Sequence, residues 1–444
     1  MVLIEHIPCL LLLMREAQDT KRIKRTIWIF RKFAILSTPG ASYFLQWFDI
    51  SCSYIYKKYN NMNIGYDGKR AFQNKTGLGN YIRSLLAILS QHYPQHQYTL
   101  FAPKETDLFD VTAFNNVKVL FPESLAGKHF PGWWRRKGIV KAIANAGLDI
   151  YHGVSNELPL HIERTGIKTV VTVHDIIFER FPATYNFDER YVHRWKIKQA
   201  CKAADAVIAI SKQTKDDLIN FYKIPQAKIF ISYQSCNPIF QQTISSEYKA
   251  IIKKRYHLPD KYFLFVSSIA PRKNLITVCK AMVLLKDKMD IPLVVIGNGK
   301  KEKEEVKKLM QHNGIATRLI LLNEMPVSKE AAFTTATDFP AIYQQALALI
   351  YPSIFEGFGA PLLEALWSGL PVISSNTSSL PEVAGDAALY FNPYDTELLA
   401  RHMWDVANDN NVVIYLRSKG FEQAQHFTTQ KYADSIMNVY QKIL

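Results

Sequence analysis

LALIYPSIFEGFGAPLLEALWSGLPVISSNTSSLPEVAG, residues 347–385, decides how the rest of the chain is read. Leu347 to Tyr351 is a short apolar run closed by Pro352, the pattern of a buried strand ended by a helix-hostile residue. Glu356 follows in a loop. Gly357 and Gly359 permit tight backbone geometry and close approach of a ligand, and Pro361 fits the first turn of a helix that Leu362, Leu363, Ala365, Leu366 and Trp367 continue. Glu364 stands about one turn into that helix. Gly369 and Pro371 end it and Val372 to Ser374 opens the next strand, so the stretch is a strand, loop, helix, strand unit of a parallel sheet. Open sheets of this kind bind ligands at the carboxyl ends of their strands, where Glu356, Glu364 and the glycine loop would lie together.

Outward from this unit the same alternation recurs. Ahead of it lie strand candidates Tyr262–Val266, Leu293–Ile296 and Leu319–Leu322, and after it Ala388–Phe391. An earlier series begins at Met62 and runs through Asn63–Tyr66, Tyr98–Ala102, Val117–Phe121, Asp149–His152, Lys168–Val173, Ala206–Ile210 and Ile229–Tyr233. Two doubly wound α/β domains result, residues 62–240 and 241–425. The tail, residues 426–444, has Tyr432, Ile436, Val439 and Tyr440 at helical spacing.

At 444 residues the chain is long enough for two buried cores, and 48% apolar with 21% charged residues is a globular composition. A formal charge of +15 points to an anionic partner: phosphates, an acidic membrane surface or nucleic acid. No nucleic-acid motif is present. Cys9, Cys52, Cys201, Cys236 and Cys279 are odd in number and have no metal-type spacing, the pattern of a reduced cytosolic chain. Residues 1–61 differ from the rest. Ile7 to Met14 is too short to span a membrane and lacks the marks of a signal peptide, while Lys21 to Phe33 mixes cations with aromatic residues in a way that suits an anionic membrane surface. A poorly ordered extension, or a start placed ahead of Met62, is the plainer expectation.

Other points on the frame carry chemistry. GKRAFQNKTGLG, residues 68–79, reads as a polar loop before the helix Tyr81–Leu89, with Gly77 and Gly79 able to present backbone N–H groups to a phosphate or sugar, or merely to shape a turn. His174 and Asp175 follow a buried strand at the ligand-facing edge, as a polar pair or as a helix cap. After the strand Tyr262–Val266 come Ser267, Ser268, Arg272, Lys273 and Asn274. Two cations at a helix start oppose its dipole, an arrangement that makes sense if a bound diphosphate supplies negative charge. Gly297, Asn298 and Gly299 turn at the same edge.

In combination these residues resemble the retaining glycosyltransferases of family four, which have the GT-B fold of two Rossmann-like domains facing a central cleft, with a last helix that returns to the first domain. EGFGAPLLE, residues 356–364, carries the resemblance most specifically, with PRKN at 271–274, the VHD segment and the glycine loop in family-like positions. The resemblance implies that Glu364 binds the nucleotide ribose, that Glu356 approaches the donor sugar, and that backbone amides of Gly357, Phe358, Gly359 and Ala360 face sugar and diphosphate. Lys273 matches the diphosphate lysine. Ser268 stands where the family has an arginine, and Arg272 is the cation able to replace it. His174 matches the histidine beside the reacting sugar, Gly79 the amino-terminal loop, and Gly297 completes the donor set.

Transfer from a nucleotide sugar leaves a departing diphosphate whose charge needs stabilising, which suits Arg272 and Lys273. No carboxylate cluster at metal-ligand spacing and no nucleophilic carboxylate beside His174 are legible, so a metal-independent, front-face reaction with retention is expected, with a nucleotide sugar as co-substrate and no other cofactor. The donor expected first is GDP-mannose and second a UDP-sugar; the acceptor is a glycan or lipid-linked glycan, in the manner of bacterial mannosyltransferases of cell-surface polysaccharide synthesis. GKHFPGWWRRKGI, with Trp133, Trp134, Arg135, Arg136 and Lys137, suits a membrane surface or a helix start with one tryptophan in the core. Cytoplasmic, peripheral attachment at the inner face of the membrane follows. A nucleotide-sugar epimerase or sugar phosphorylase of the same fold, and a non-catalytic scaffold, are the alternatives.

Overall fold

The computed structural model describes residues 61–75 and 77–444. The expectations for residues 1–61, including the basic aromatic segment, lie outside them apart from Asn61. Among the described residues thirteen strands form where the apolar runs fall: β1 Asn63–Asp67, β2 Gln97–Phe101, β3 Val117–Leu120, β4 Ile150–Gly153, β5 Lys168–Val173, β6 Ala206–Ala209, β7 Ile229–Ile231, β8 Phe263–Val266, β9 Leu293–Ile296, β10 Leu319–Leu321, β11 Ala348–Tyr351, β12 Val372–Ser375 and β13 Ala388–Phe391. They sort into a seven-stranded sheet, order β3-β2-β1-β4-β5-β6-β7, and a six-stranded sheet, order β10-β9-β8-β11-β12-β13. All the pairings are parallel, for example Leu349 opposite Val372 and Gly65 opposite Tyr151.

In the second sheet Phe263, Phe265, Val295 and Ile350 pack under one helical layer, while Leu264, Val266, Val294 and Leu349 pack under the other. Both faces are covered, which is why these strands read as unbroken apolar runs. Strand order reverses beside the first strand of each sheet. The crevices of the fold therefore open between β1 and β4 and between β8 and β11.

The last helix, Thr429–Ile443, returns to the first domain. Its Tyr440 hydroxyl lies 2.9 Å from that of Tyr66 and 2.6 Å from His152 Nδ1, and His152 Nε2 lies 2.7 Å from the Thr172 hydroxyl. Burial pushes His152 down to about 3, so the ring is neutral and one nitrogen donates while the other accepts. Tyr93 donates to Asp434 at 2.6 Å.

One expectation needs correcting. Residues 68–79 are not a loop throughout: Lys69–Gln73 is a short helix and the next helix already starts at Gly77 and runs to His92. Phe72 drives the first of these, burying its ring edge-on against Phe109 and Phe121 at 6.0 and 6.2 Å. The chain then doubles back so tightly that a Cβ at Gly79 would collide with the Asn74 carbonyl. Cys201, Cys236 and Cys279 are buried and unpaired. Among the described residues no helix is long and apolar enough to cross a membrane.

Candidate active site

The crevice between β8 and β11 gathers the second-domain residues. Lys273 sits in the single turn Pro271–Lys273 after β8 and places Nζ 2.5 Å from Glu356 Oε1, while Arg272 Nη1 is 3.2 Å from Glu356 Oε2 and also donates to the Phe355 carbonyl. The two cations oppose the dipole of the helix Leu275–Leu284, and here a protein carboxylate supplies the compensating charge. Burial alone would raise Glu356, but Lys273 and Arg272 outweigh it and hold the carboxyl below its usual range. Burial likewise pulls Lys273 below the usual ammonium range, against the opposing pull of Glu356.

Tyr351, at the end of β11, donates to Glu356 Oε1 at 3.1 Å and feels the charge of Glu364 as well. Glu364 lies on the helix Ala360–Trp367 and accepts from the Tyr343 hydroxyl at 2.8 Å. Burial lifts it to about 7, the Tyr343 hydrogen bond only partly offsetting this.

Serines fix the loop between the glutamates. Ser378 accepts from the Glu356 amide at 2.9 Å, and the Ser379 hydroxyl lies 3.0 Å from the carbonyls of both Glu356 and Phe358. The amides of Gly357, Phe358, Gly359 and Ala360 make no hydrogen bond among the described residues. Gly359 has φ +104°, a conformation open to glycine and strained for other residues. The Phe358 ring points into the core against Tyr233 and Phe427, so this residue offers the crevice its backbone alone. Asn274 ties the neighbouring loops together, donating to the carbonyls of Pro352 at 3.1 Å and Pro393 at 2.7 Å. Ser268 is exposed beyond β8, and Gly297, whose amide donates to Asn323 at 2.6 Å, packs too tightly on Ser267 for a side chain.

The first domain closes directly on this loop. His174, after β5, is buried, and a Cβ at Gly357 would collide with its carbonyl oxygen. Its Nε2–H donates to the Val154 carbonyl at 2.9 Å, which leaves Nδ1 with the lone pair. Burial holds the ring neutral by pushing its pKa down. Asn156 accepts from the His174 amide at 2.9 Å, and the Tyr81 ring stands edge-on to the imidazole at 4.5 Å. Gly79 is on the helix that carries Tyr81, where its close approach is to Asn74.

The tryptophan and arginine cluster divides. Trp134 is core and Arg135 is bound to Asp67 and Glu157, whereas Trp133, Arg136 and Lys137 are exposed. Tyr351, Tyr343, Ser378, Ser379 and Asn156 join the site without having been singled out in the sequence. Each contributes a hydroxyl or amide whose partner is set by tertiary packing.

The model for glycosyl transferases group 1 matches residues 249–424, and that for glycosyltransferase family 4 matches residues 75–235. The chain is a family four glycosyltransferase. Together the two matched segments account for both domains of this retaining hexosyltransferase family. Over 294 residues this glycosyltransferase is 28% identical to O-antigen chain mannosyltransferase B of Escherichia coli, covering 66% of this chain and 74% of that one. It is also 28% identical to the serotype-specific mannosyltransferase WbdA of Escherichia coli, over 68% of this chain but 38% of the relative's length. Among solved structures, a glycosyltransferase from Rickettsia africae matches with TM-score 0.65 at 16% identity, over 87% of this chain and 99% of that one. The Anabaena protein HepE, solved in complex with UDP and glucose, matches with TM-score 0.63 at 15% identity, over 85% and 99%. At these identities the structural matches speak to the GT-B fold.

Proposed function

We propose that this glycosyltransferase moves a hexose, mannose in the first instance, from a nucleotide sugar to a glycan or lipid-linked glycan in cell-surface polysaccharide synthesis. The observation that carries the reading is the β8–β11 crevice. Two cations there are held by one buried glutamate beside four amides with no hydrogen bond among the described residues and a second, half-buried carboxyl. The names of the mannosyltransferase relatives favour mannose. HepE with UDP and glucose supports a nucleotide-sugar donor of some kind.

In this reading Glu364 accepts from the ribose hydroxyls, Glu356 from the donor sugar, and Lys273, Arg272 and the loop amides take the diphosphate charge. Ser268, Gly297 and Gly79 line the donor. The bond from C1 to the diphosphate oxygen breaks while an acceptor hydroxyl attacks C1 from the same face. Its proton passes to the departing phosphate oxygen, so configuration is retained and no protein nucleophile is used. Lys273 and Arg272 act most strongly on charge that builds up as the bond breaks. His174, neutral and buried, hydrogen-bonds the sugar without adding charge. Exposed Leu125, Phe130, Trp133 and Lys137 give the first domain an amphipathic surface suited to an anionic membrane.

The test is nucleotide release by the purified chain from GDP-mannose and from UDP-sugars, with the anomeric configuration of any product determined. Release of one nucleotide well above the uncatalysed rate, with retention, is expected. Interconversion of the donor without an acceptor would indicate an epimerase, dependence on free phosphate a phosphorylase, and binding without turnover a scaffold; each overturns the transferase reading.

A further inference from the structure

The first domain has its own strand-order reversal, between β1 and β4, and its charges do not balance. Asp67, at the end of β1, and Glu157, after β4, are both bound by Arg135, with Nε 2.9 Å from Asp67 Oδ2 and Nη1 2.7 Å from Glu157 Oε2. Lys196 adds a second contact to Glu157 at 2.9 Å. Two carboxylates are thus met by two cations. Lys69 and Arg70, on the short helix directly after β1, remain. Among the described residues neither side chain has an ion pair or hydrogen bond, and Arg70 Nε is buried without a partner there.

Their surroundings add to the imbalance. Burial and the charges of Arg135 and Arg70 depress Lys69 against the opposing pull of Asp67 and Glu157, and the charge of Arg70 helps push His174 toward neutrality. A buried guanidinium N–H without an acceptor is costly, and four cations gathered around two carboxylates repel one another. An oxyanion would relieve the repulsion. The guanidinium edge fits two oxygens of a phosphate side by side, and a lysine adds a mobile point charge.

We propose that Lys69 and Arg70 form an anion subsite for a phosphorylated acceptor, holding its phosphate or diphosphate at the first-domain crevice beside His174. This rests on the reading of the β8–β11 crevice as the donor site. The donor's own diphosphate has Lys273, Arg272 and the loop amides. The first-domain pair is left for the other substrate.

The test is calorimetric titration of the full chain with inorganic pyrophosphate while GDP or UDP is saturating. A saturable event that persists beside bound nucleotide is expected, weakened at least tenfold in Arg70→Gln and in Lys69→Gln and largely restored in Arg70→Lys. Nucleotide affinity in Arg70→Gln should stay within about twofold of wild type, which also reports that the variant folds. Pyrophosphate binding that vanishes as nucleotide saturates, or that is unchanged in both glutamine variants, overturns the proposal. If no nucleotide binds, the donor reading fails by itself, and the same titration without nucleotide still decides the subsite: loss in Arg70→Gln but not in Lys273→Gln supports it, and the reverse overturns it. Parallel titrations with a soluble hexose phosphate and with a short-chain polyprenyl diphosphate in detergent micelles show which source of phosphate the pair prefers. Equal binding of both by wild type and Arg70→Gln contradicts it.

Discussion

The two strand-order reversals of this molecule handle positive charge in opposite ways. Between β8 and β11, Lys273 and Arg272 share a single buried carboxylate, Glu356. Between β1 and β4, Arg135 and Lys196 are matched by Asp67 and Glu157, but Lys69 and Arg70 are left over. The contrast teaches how each crevice is prepared for its ligand. The second-domain cations are already positioned by Glu356 before any donor arrives, which lowers the reorganisation needed when a diphosphate departs. Lys69 and Arg70 lie in the field of Asp67 and Glu157 but make no ion pair with a carboxylate among the described residues. Their order is expected to come with substrate.

The largest effect should come from breaking the prepared side. Lys273→Ala should lower turnover by about 10²–10³-fold, the scale of losing one group that stabilises developing negative charge. Steady-state nucleotide release checks this, and a loss under tenfold would place the charge stabilisation elsewhere.

Next comes the seam between the two sides. Gly357→Ala puts a methyl group against the His174 carbonyl, so the loop or the first-domain edge has to move. A misplacement of about 1 Å in a site of this kind costs on the order of 10²-fold in rate. Turnover should fall accordingly while far-ultraviolet circular dichroism stays unchanged; near-normal turnover would mean that the seam opens freely in the working enzyme.

A pH profile sharpens the donor side. Glu364 is raised to about 7 by burial, and a carboxyl that accepts from ribose hydroxyls binds better ionised. Donor affinity should therefore rise with pH, by about tenfold from pH 6 to 8, and Glu364→Gln should flatten the profile. An affinity that falls over that range would contradict the assignment.

The smallest effect concerns the first domain alone. His152 is pushed down to about 3 from 6.5, so below pH 6.5 the unfolded chain takes up a proton that the folded chain refuses. This contribution to stability is present above 6.5 and lost as pH falls, by about 2 kcal/mol between pH 7 and 5. Urea midpoints of wild type and His152→Asn across that range should converge toward acid.

The fold was largely legible because doubly covered parallel strands announce themselves as apolar runs, and all thirteen form where those runs lie. Glu356, Gly359 and Glu364 could be read for a related reason: glycine and proline fixed the loop and helix around them. Residues 68–79 misled because Gly77 and Gly79 looked like loop formers, while the burial of Phe72 that makes a helix there depends on Phe109 and Phe121 from a later segment. The pairing of Lys273 with Glu356 spans 83 positions and has no local signature. Nor does Tyr343, whose hydroxyl meets Glu364 only once the domain has closed around it.

The central claim is that Glu356, Lys273, Arg272 and Glu364 form the donor site, and calorimetry with GDP and UDP tests it most directly. One nucleotide should bind the wild-type chain at a single saturable site, at least tenfold more weakly in Lys273→Ala and Glu364→Ala and with unchanged affinity in Arg70→Gln. Equal affinity in wild type, Lys273→Ala and Glu364→Ala would contradict the account.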